Sequence, residues 1–259
     1  MCIRDSFKIG LFGATEMLVD GFMELYNGEI LTKKCYDDIS IQRLINEGLI
    51  VPDELKLEDL SLLESRGLVS FPLEQSGFRF LQYWGFLKEE IKFEIGQDYL
   101  HSKFIGDKLK HGHIIHGGFF LGHKGFYHWL KTLPKEQRKL IDMRSVQKIN
   151  QLYGHEDLDR LHRKNARFIN TCMMTTLSGA HVSDGLEDGR VISGVGGQYN
   201  FVAMAQELPD GHSVIMMRST RFENGLVKSN IVSHYGHITI PRHLRDVLAV
   251  SYTHLTLPT

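Results

Sequence analysis

The chain has 259 residues, 42% of them hydrophobic, enough for a sizeable core in one or two domains. Its 30 basic residues against 31 acidic ones leave a formal charge of −1, which gives no electrostatic reason to expect nucleic acid or an anionic membrane as a partner. The apolar runs are too short to span a bilayer, and three widely spaced cysteines (Cys2, Cys35, Cys172) make neither a disulfide framework nor a zinc pattern, so a reduced, cytoplasmic setting is expected.

In chain order, residues 1–6 (MCIRDS) and 250–259 (VSYTHLTLPT) continue neither neighbouring pattern and are expected to be non-native tails, leaving 7–249 as the informative protein. Residues 7–12 read as a strand, 13–15 as a turn, and 16–26 as a helix with Thr15 as its N-cap. Helices are expected near 37–46, 57–65 and 74–83, punctuated by Gly48, Pro52, Gly67 and Pro72. A second strand–turn–helix unit reads as a strand over 113–116, a turn at Gly117–Gly118 and a helix over 125–133, followed by helices at 135–140 and 156–164. From Ala166 onward short β-branched runs dominate, at 167–175, 179–183, 190–193, 213–219 and 226–233, with a helix at 200–207. Strands interleaved with helices predict an α/β fold with covered sheet faces.

The strongest local signal is Ser193-Gly194-Val195-Gly196-Gly197-Gln198-Tyr199-Asn200-Phe201, after a strand and before a helix. Glycines there let a backbone approach a ligand closely and present N–H groups at a helix N-terminus, suited to a phosphate or to an oxyanion formed in acyl transfer. It is neither a dinucleotide fingerprint nor a Walker loop, and a tight strand–helix turn is the plain alternative. Glu16, in Gly13-Ala14-Thr15-Glu16-Met17, offers a carboxylate at a sheet edge, where α/β folds place their sites, or else complements a helix dipole. Asn150 and Asn170 can donate to an oxyanion or serve as turn residues. Of the fourteen histidines, His111, His113 and His116 cluster, but no carboxylate or cysteine adjoins them in sequence, so no metal site is expected. Cys172 lies in an apolar run and reads as an inert thiol.

Taken together, G-x-T-E-M-x-x-D-G, then I-N-T, then S-G-V-G-G-Q-x-N-F, then S-T, S-N-I-V and P-R-H-L-R-D-V resemble the C-terminal domain of the acetyl-CoA hydrolase/CoA-transferase family, whose members include 4-hydroxybutyrate and succinyl-CoA:acetate CoA-transferases. The resemblance covers essentially all of 7–249 and is densest over 166–247. It implies a three-layer α/β/α CoA-transferase-type domain, with residues of about 37–110 as the helical insertion of a longer subgroup. It also implies that Glu16 is the nucleophile, passing through a glutamyl-CoA thioester, that Gly194, Val195, Gly196, Gly197 and Gln198 hold the CoA thioester, and that Gly196, Gly197 and Asn150 assist at the reacting carbonyl. No permanently bound cofactor is implied; coenzyme A thioester is the substrate, and acyl-CoA and a small carboxylate such as acetate are the partners. The family's N-terminal domain is absent from the chain, the T-E-Y-G string expected after P-R-H-L-R-D-V is missing, and a homodimer is compatible with the type. The alternative from another class is a non-catalytic module that binds CoA thioesters or regulates.

Overall fold

The structure, a computed structural model, describes residues 10–253, and the chain divides into two compact units, Met1–Ile149 and Asn150–Thr259. In the first unit β1 (Gly13–Leu18) leads into α1 (Asp20–Asn27). The helical stretch α2 (Ile39–Asn46), α3 (Leu57–Ser65) and α4 (Gln75–Trp84) follows. The chain then returns through β2 (Ile115–Phe120), α5 (Lys124–Thr132), α6 (Lys135–Arg138), β3 (Ile141–Met143) and α7 (Val146–Asn150). The three strands form a parallel sheet in the order β1-β2-β3, with Gly13 opposite Ile115 and His116 opposite Asp142. Leu18 and Ile115 of the sheet pack with Phe126 of α5, flanked by Phe22 and Tyr26 of α1 and by Trp129. This covers one sheet face with apolar helix stripes.

The helical stretch has a core of its own, in which Tyr36, Ile41, Leu60, Leu63, Leu81, Phe86 and Tyr99 are fully or nearly fully buried. Its helix ends follow from the sequence. The Asp38 carboxylate accepts from the backbone N–H groups of Ser40 and Ile41, both at 2.9 Å, and so caps α2. The Asp59 carboxylate accepts from Lys56 N–H at 2.8 Å at the start of α3. Gly85 ends α4 in the left-handed region at φ 86°, where a Cβ would also meet the Lys108 carbonyl at 2.6 Å.

In the second unit come α8 (Glu156–His162), β4 (Arg167–Thr171), β5 (Met174–Thr176), β6 (His181–Val182), α9 (Gln198–Glu207) and β7 (His212–Arg218). β8 (Thr220–Glu223), β9 (Leu226–Ser229), β10 (Ile231–Val232) and β11 (Leu248–Tyr252) complete it. The central sheet is parallel, ordered β11-β7-β4. α9 packs on it through Met204, Ala205 and Phe201 against Phe168, and through Val202 against Ile215. A separate three-stranded sheet, β10-β5-β6, and the hairpin β8-β9 account for the other strands of this unit.

The α/β class expected from the sequence is the class observed, and helices α2, α3, α4, α5 and α9 lie within about two residues of their predicted places. The beginning of the chain differs. Residues 13–15 are no turn and Glu16 opens no helix, because Gly13–Leu18 forms β1 by pairing with β2, a partner about a hundred residues away. The helix starts only at Asp20, with Val19 and not Thr15 at the N-cap. Of the strand expected at 7–12, residues 7–9 lie outside the described residues, and Leu11 makes a single bridge to Leu31. Gly117 and Gly118 are also strand, not turn. The run 167–175 is two strands, and 190–193 contributes only a bridge from Val191 to Gly185. Val250, Ser251 and Tyr252, read from sequence as part of a tail, pair in β11 with Met216, Met217 and Arg218.

Candidate active site

Strands β4, β7 and β11 run parallel and end at Thr171, Arg218 and Tyr252. All three terminal residues line one cavity of about 780 Å³, together with Cys172, Ile192 and Met216. An open α/β sheet presents its ligand sites at this C-terminal edge, because loops diverge there and helix N-termini point toward it. The glycine segment approaches the same edge. Gln198, first residue of α9, donates from Nε2 to the Thr171 carbonyl at 2.9 Å, fastening the helix start to the end of β4.

Gly196 sits in the left-handed region at φ 56°, which a side chain would strain, and Gly197 is the N-cap residue of α9. No side chain caps this helix and no acidic residue occupies its first turn. Its leading N–H groups therefore keep the partial positive charge that suits a phosphate or a developing oxyanion. Gly194 and Val195 are exposed on the approach to the turn, and Gly197 and Gln198 are buried at its base. Of the five residues of the predicted loop, Gly194 and Val195 lead in, Gly196 and Gly197 make the turn, and Gln198 opens the helix.

Cys172 lines the cavity, but burial pushes its thiol up to about 11, so it carries no thiolate at neutral pH and offers no competing nucleophile. Asn170, one residue before the end of β4, has a buried side-chain N–H group with no hydrogen-bond partner among the described residues. The sequence signal for it was the short I-N-T string, which by itself does not tell a donor from a turn residue. Asn150 is buried at the last position of α7, two residues before Leu152, which packs with Phe168 and Leu208.

Glu16 belongs to the other unit. It is half-buried on β1, opposite the Gly117–Gly118 stretch of β2. The glycine is needed there, since a Cβ on Gly118 would meet the Glu16 carbonyl oxygen at 2.6 Å. The sequence neighbours of His113 and His116 contain no carboxylate, but β3 brings Asp142 beside them.

Residues 122–257 match the family model described as acetyl-CoA hydrolase/transferase C-terminal domain, slightly more than half of the chain. The chain belongs to the acetyl-CoA hydrolase/transferase family. The matched residues include Asn150, Asn170, the glycine turn and the whole cavity, and continue past β11; Glu16 lies before them. Among solved structures, RipA from Yersinia pestis is 20% identical, covering 95% of this chain and 37% of that one, with a TM-score of 0.48. Two point-mutant RipA structures are 28% and 27% identical, cover 50% and 53% of this chain and 27% and 28% of theirs, and give TM-scores of 0.40 and 0.41. The chain therefore spans well under half the length of the solved structures it matches. No curated protein sequence matches it at a significant level.

Proposed function

We propose that this chain is the C-terminal part of an enzyme that moves coenzyme A between a short-chain acyl group, acetyl first among them, and a small carboxylate, or hydrolyses the acyl-CoA. The observation that carries the reading is the glycine turn at the uncapped start of α9, fastened by Gln198 to Thr171, a residue lining the cavity at the C-terminal sheet edge, within the residues matched to a family of acyl-CoA enzymes.

On this reading Glu16 is the nucleophile. Its carboxylate attacks the thioester carbonyl, a C–O bond forms, and CoA leaves as the thiolate, giving an acyl-glutamyl anhydride. The thiolate then attacks the glutamyl carbonyl, releasing the acyl group as its carboxylate and leaving CoA on Glu16 as a thioester. A second carboxylate reverses the sequence to give a new acyl-CoA, or water hydrolyses the glutamyl thioester. Each tetrahedral intermediate puts negative charge on an oxygen, which calls for hydrogen-bond donors, and the N–H groups of Gly197 and Gln198 and the side chains of Asn170 and Asn150 are groups of that kind. Gly194, Val195, Gly196, Gly197 and Gln198 together form the CoA-thioester contact. The family's N-terminal domain supplies the remaining walls, so the 259 residues alone turn over little substrate. We place the enzyme in the cytoplasm, where acyl-CoA is available and its cysteines stay reduced, with a homodimer as the compatible assembly.

The test is a covalent one. Incubating the complete enzyme with acyl-CoA and mapping its peptides by mass spectrometry is expected to find CoA on Glu16. Glu16→Ala abolishes turnover, and Glu16→Asp, which withdraws the carboxylate by about 1.5 Å, costs about a hundredfold. Hydrolysis that proceeds under single-turnover conditions without the adduct makes Glu16 a general base and defeats the nucleophile assignment.

A further inference from the structure

His113, His116 and Asp142 each present one metal-ligating atom, and these atoms all lie within 4.8 Å of one another. The fold brings them together from two stretches. His116 of β2 and Asp142 of β3 are register partners in a parallel ladder, so their side chains stand on the same sheet face. His113 precedes β2, and its backbone is held by a reciprocal pair with Cys35, His113 N–H to the Cys35 carbonyl at 2.9 Å and Cys35 N–H to the His113 carbonyl at 2.8 Å. The two imidazoles are 5.8 Å apart between ring centroids. His116 is 5% exposed, with Phe12 packed edge-on against it at 4.7 Å.

Three further observations favour a cation. The Nδ1 atom of His113 is buried and makes no hydrogen bond among the described residues, an arrangement that costs free energy unless the atom is engaged. One Asp142 oxygen accepts from Arg144 Nε at 2.5 Å, while Arg144 also grips both oxygens of Asp37 at 2.7 and 2.6 Å. A carboxylate held this way through one oxygen is oriented like a ligand supported by its outer neighbours. One guanidinium against two carboxylates also leaves the locality with a formal negative charge, so Arg144 does not repel an incoming ion on balance.

We propose that His113, His116 and Asp142 bind a first-row divalent metal, zinc first among them, through two imidazoles and one carboxylate oxygen. Imidazole and carboxylate donors suit zinc, which takes them at about 2.0–2.1 Å. Donors around a tetrahedral ion stand roughly 3.3 Å apart on those bond lengths, so rotation of the side chains by about an ångström closes the set. Bound there, the ion ties the start of β2 to β3, while the backbone pair with Cys35 already holds His113 in place. It lies toward the beginning of β2, and its role is to fasten this unit rather than to meet substrate.

The experiment uses the 259-residue chain, stripped with chelator, exposed to zinc chloride and dialysed. Elemental analysis is expected to find about one zinc retained per chain, with a higher melting temperature. His113→Ala and Asp142→Ala are each expected to weaken zinc binding by about a hundredfold or more, beyond the effect of losing an outer partner. His111→Ala serves as the control, because His111 stacks on Tyr83 at 4.2 Å and stands outside the cluster. Should either ligand variant fail to fold, cobalt substitution of the unaltered chain decides the matter, with intense visible bands of a four-coordinate ion expected. Zinc lost on dialysis, zinc retained equally by the ligand variants, or only the faint spectrum of six-coordinate cobalt would each overturn the proposal.

Discussion

Gly118→Ala puts a single methyl group where the structure has no space for one. The added Cβ would stand 2.6 Å from the Glu16 carbonyl oxygen and 3.0 Å from Val146 Cγ2. The valine can turn away, but the carbonyl belongs to the neighbouring strand of a parallel ladder and cannot. Ordinary contact begins at 3.4 Å, so β1 and β2 must part by about 0.8 Å at Glu16. Overpacking of this kind costs about 1–3 kcal/mol. If Glu16 is the nucleophile, displacement approaching 1 Å also lowers turnover by tens of fold, since about a hundredfold accompanies a full ångström. Gly117→Ala is the matched control, because its Cβ meets only the flexible end of Met143, at 3.2 and 3.4 Å, with Leu18 Cβ at 3.5 Å. Urea midpoints read by circular dichroism measure the stability term on the chain, and kcat of the complete enzyme measures the other. The reasoning fails if Gly118→Ala matches Gly117→Ala in both. A loss of stability with unchanged kcat would keep the steric argument and remove Glu16 from the chemistry.

Two other outcomes follow from buried groups. With its thiol pushed up to about 11 by burial, Cys172 is expected to resist alkylation at neutral pH in the folded chain and to react once urea unfolds it; rapid labelling of folded protein, seen by peptide mass spectrometry, would contradict this. Burial acts to raise the Asp184 carboxyl, but hydrogen bonds from Thr239 and His237 outweigh it and hold the group below the ordinary carboxylate range. A depressed folded-state pKa gives stability that is present above the unfolded value of about 3.9 and lost as pH falls through the folded one, so Asp184→Asn is expected to flatten the acid limb of a stability–pH curve.

What could be read from the sequence was what neighbours decide. Asp38 caps α2, which starts at the next residue, by accepting from the N–H of Ile41, and α3 occupies the range that its apolar spacing marks. The glycine turn was legible for the same reason, since it needs only its own backbone and the helix that follows. β1 was not legible, because six residues containing a glycine, an alanine and a glutamate become a strand only through β2. Gly117 and Gly118 look like a turn until the close approach of Glu16 explains them. Asp142 joined the histidines by strand register, which no spacing rule along the chain can reveal. One local signal was overlooked. Asn224 and Gly225, both at positive φ, are the two-residue turn of the hairpin β8-β9, and Asn-Gly between apolar runs is a strong hairpin mark.

The position of Glu16 bears on one of its two sequence readings, the helix-dipole one. A glutamate at a helix N-terminus needs no function, because it offsets the dipole of the uncapped N–H groups. Glu16 does not hold that position: α1 begins at Asp20, whose carboxylate is the acidic group of the first turn, and Val19 supplies no side-chain cap. Asp20 also lies 3.6 Å from His123 Nε2, so its charge has two reasons to be there and Glu16 inherits neither. Asp20→Asn is therefore expected to cost about 0.3–1 kcal/mol at low ionic strength, shrinking as salt screens the helix end. Urea denaturation of Asp20→Asn and Glu16→Gln at low and high salt separates the roles. If the salt-screened loss appears in Glu16→Gln and not in Asp20→Asn, Glu16 is the dipole partner after all, and its charge needs no catalytic role.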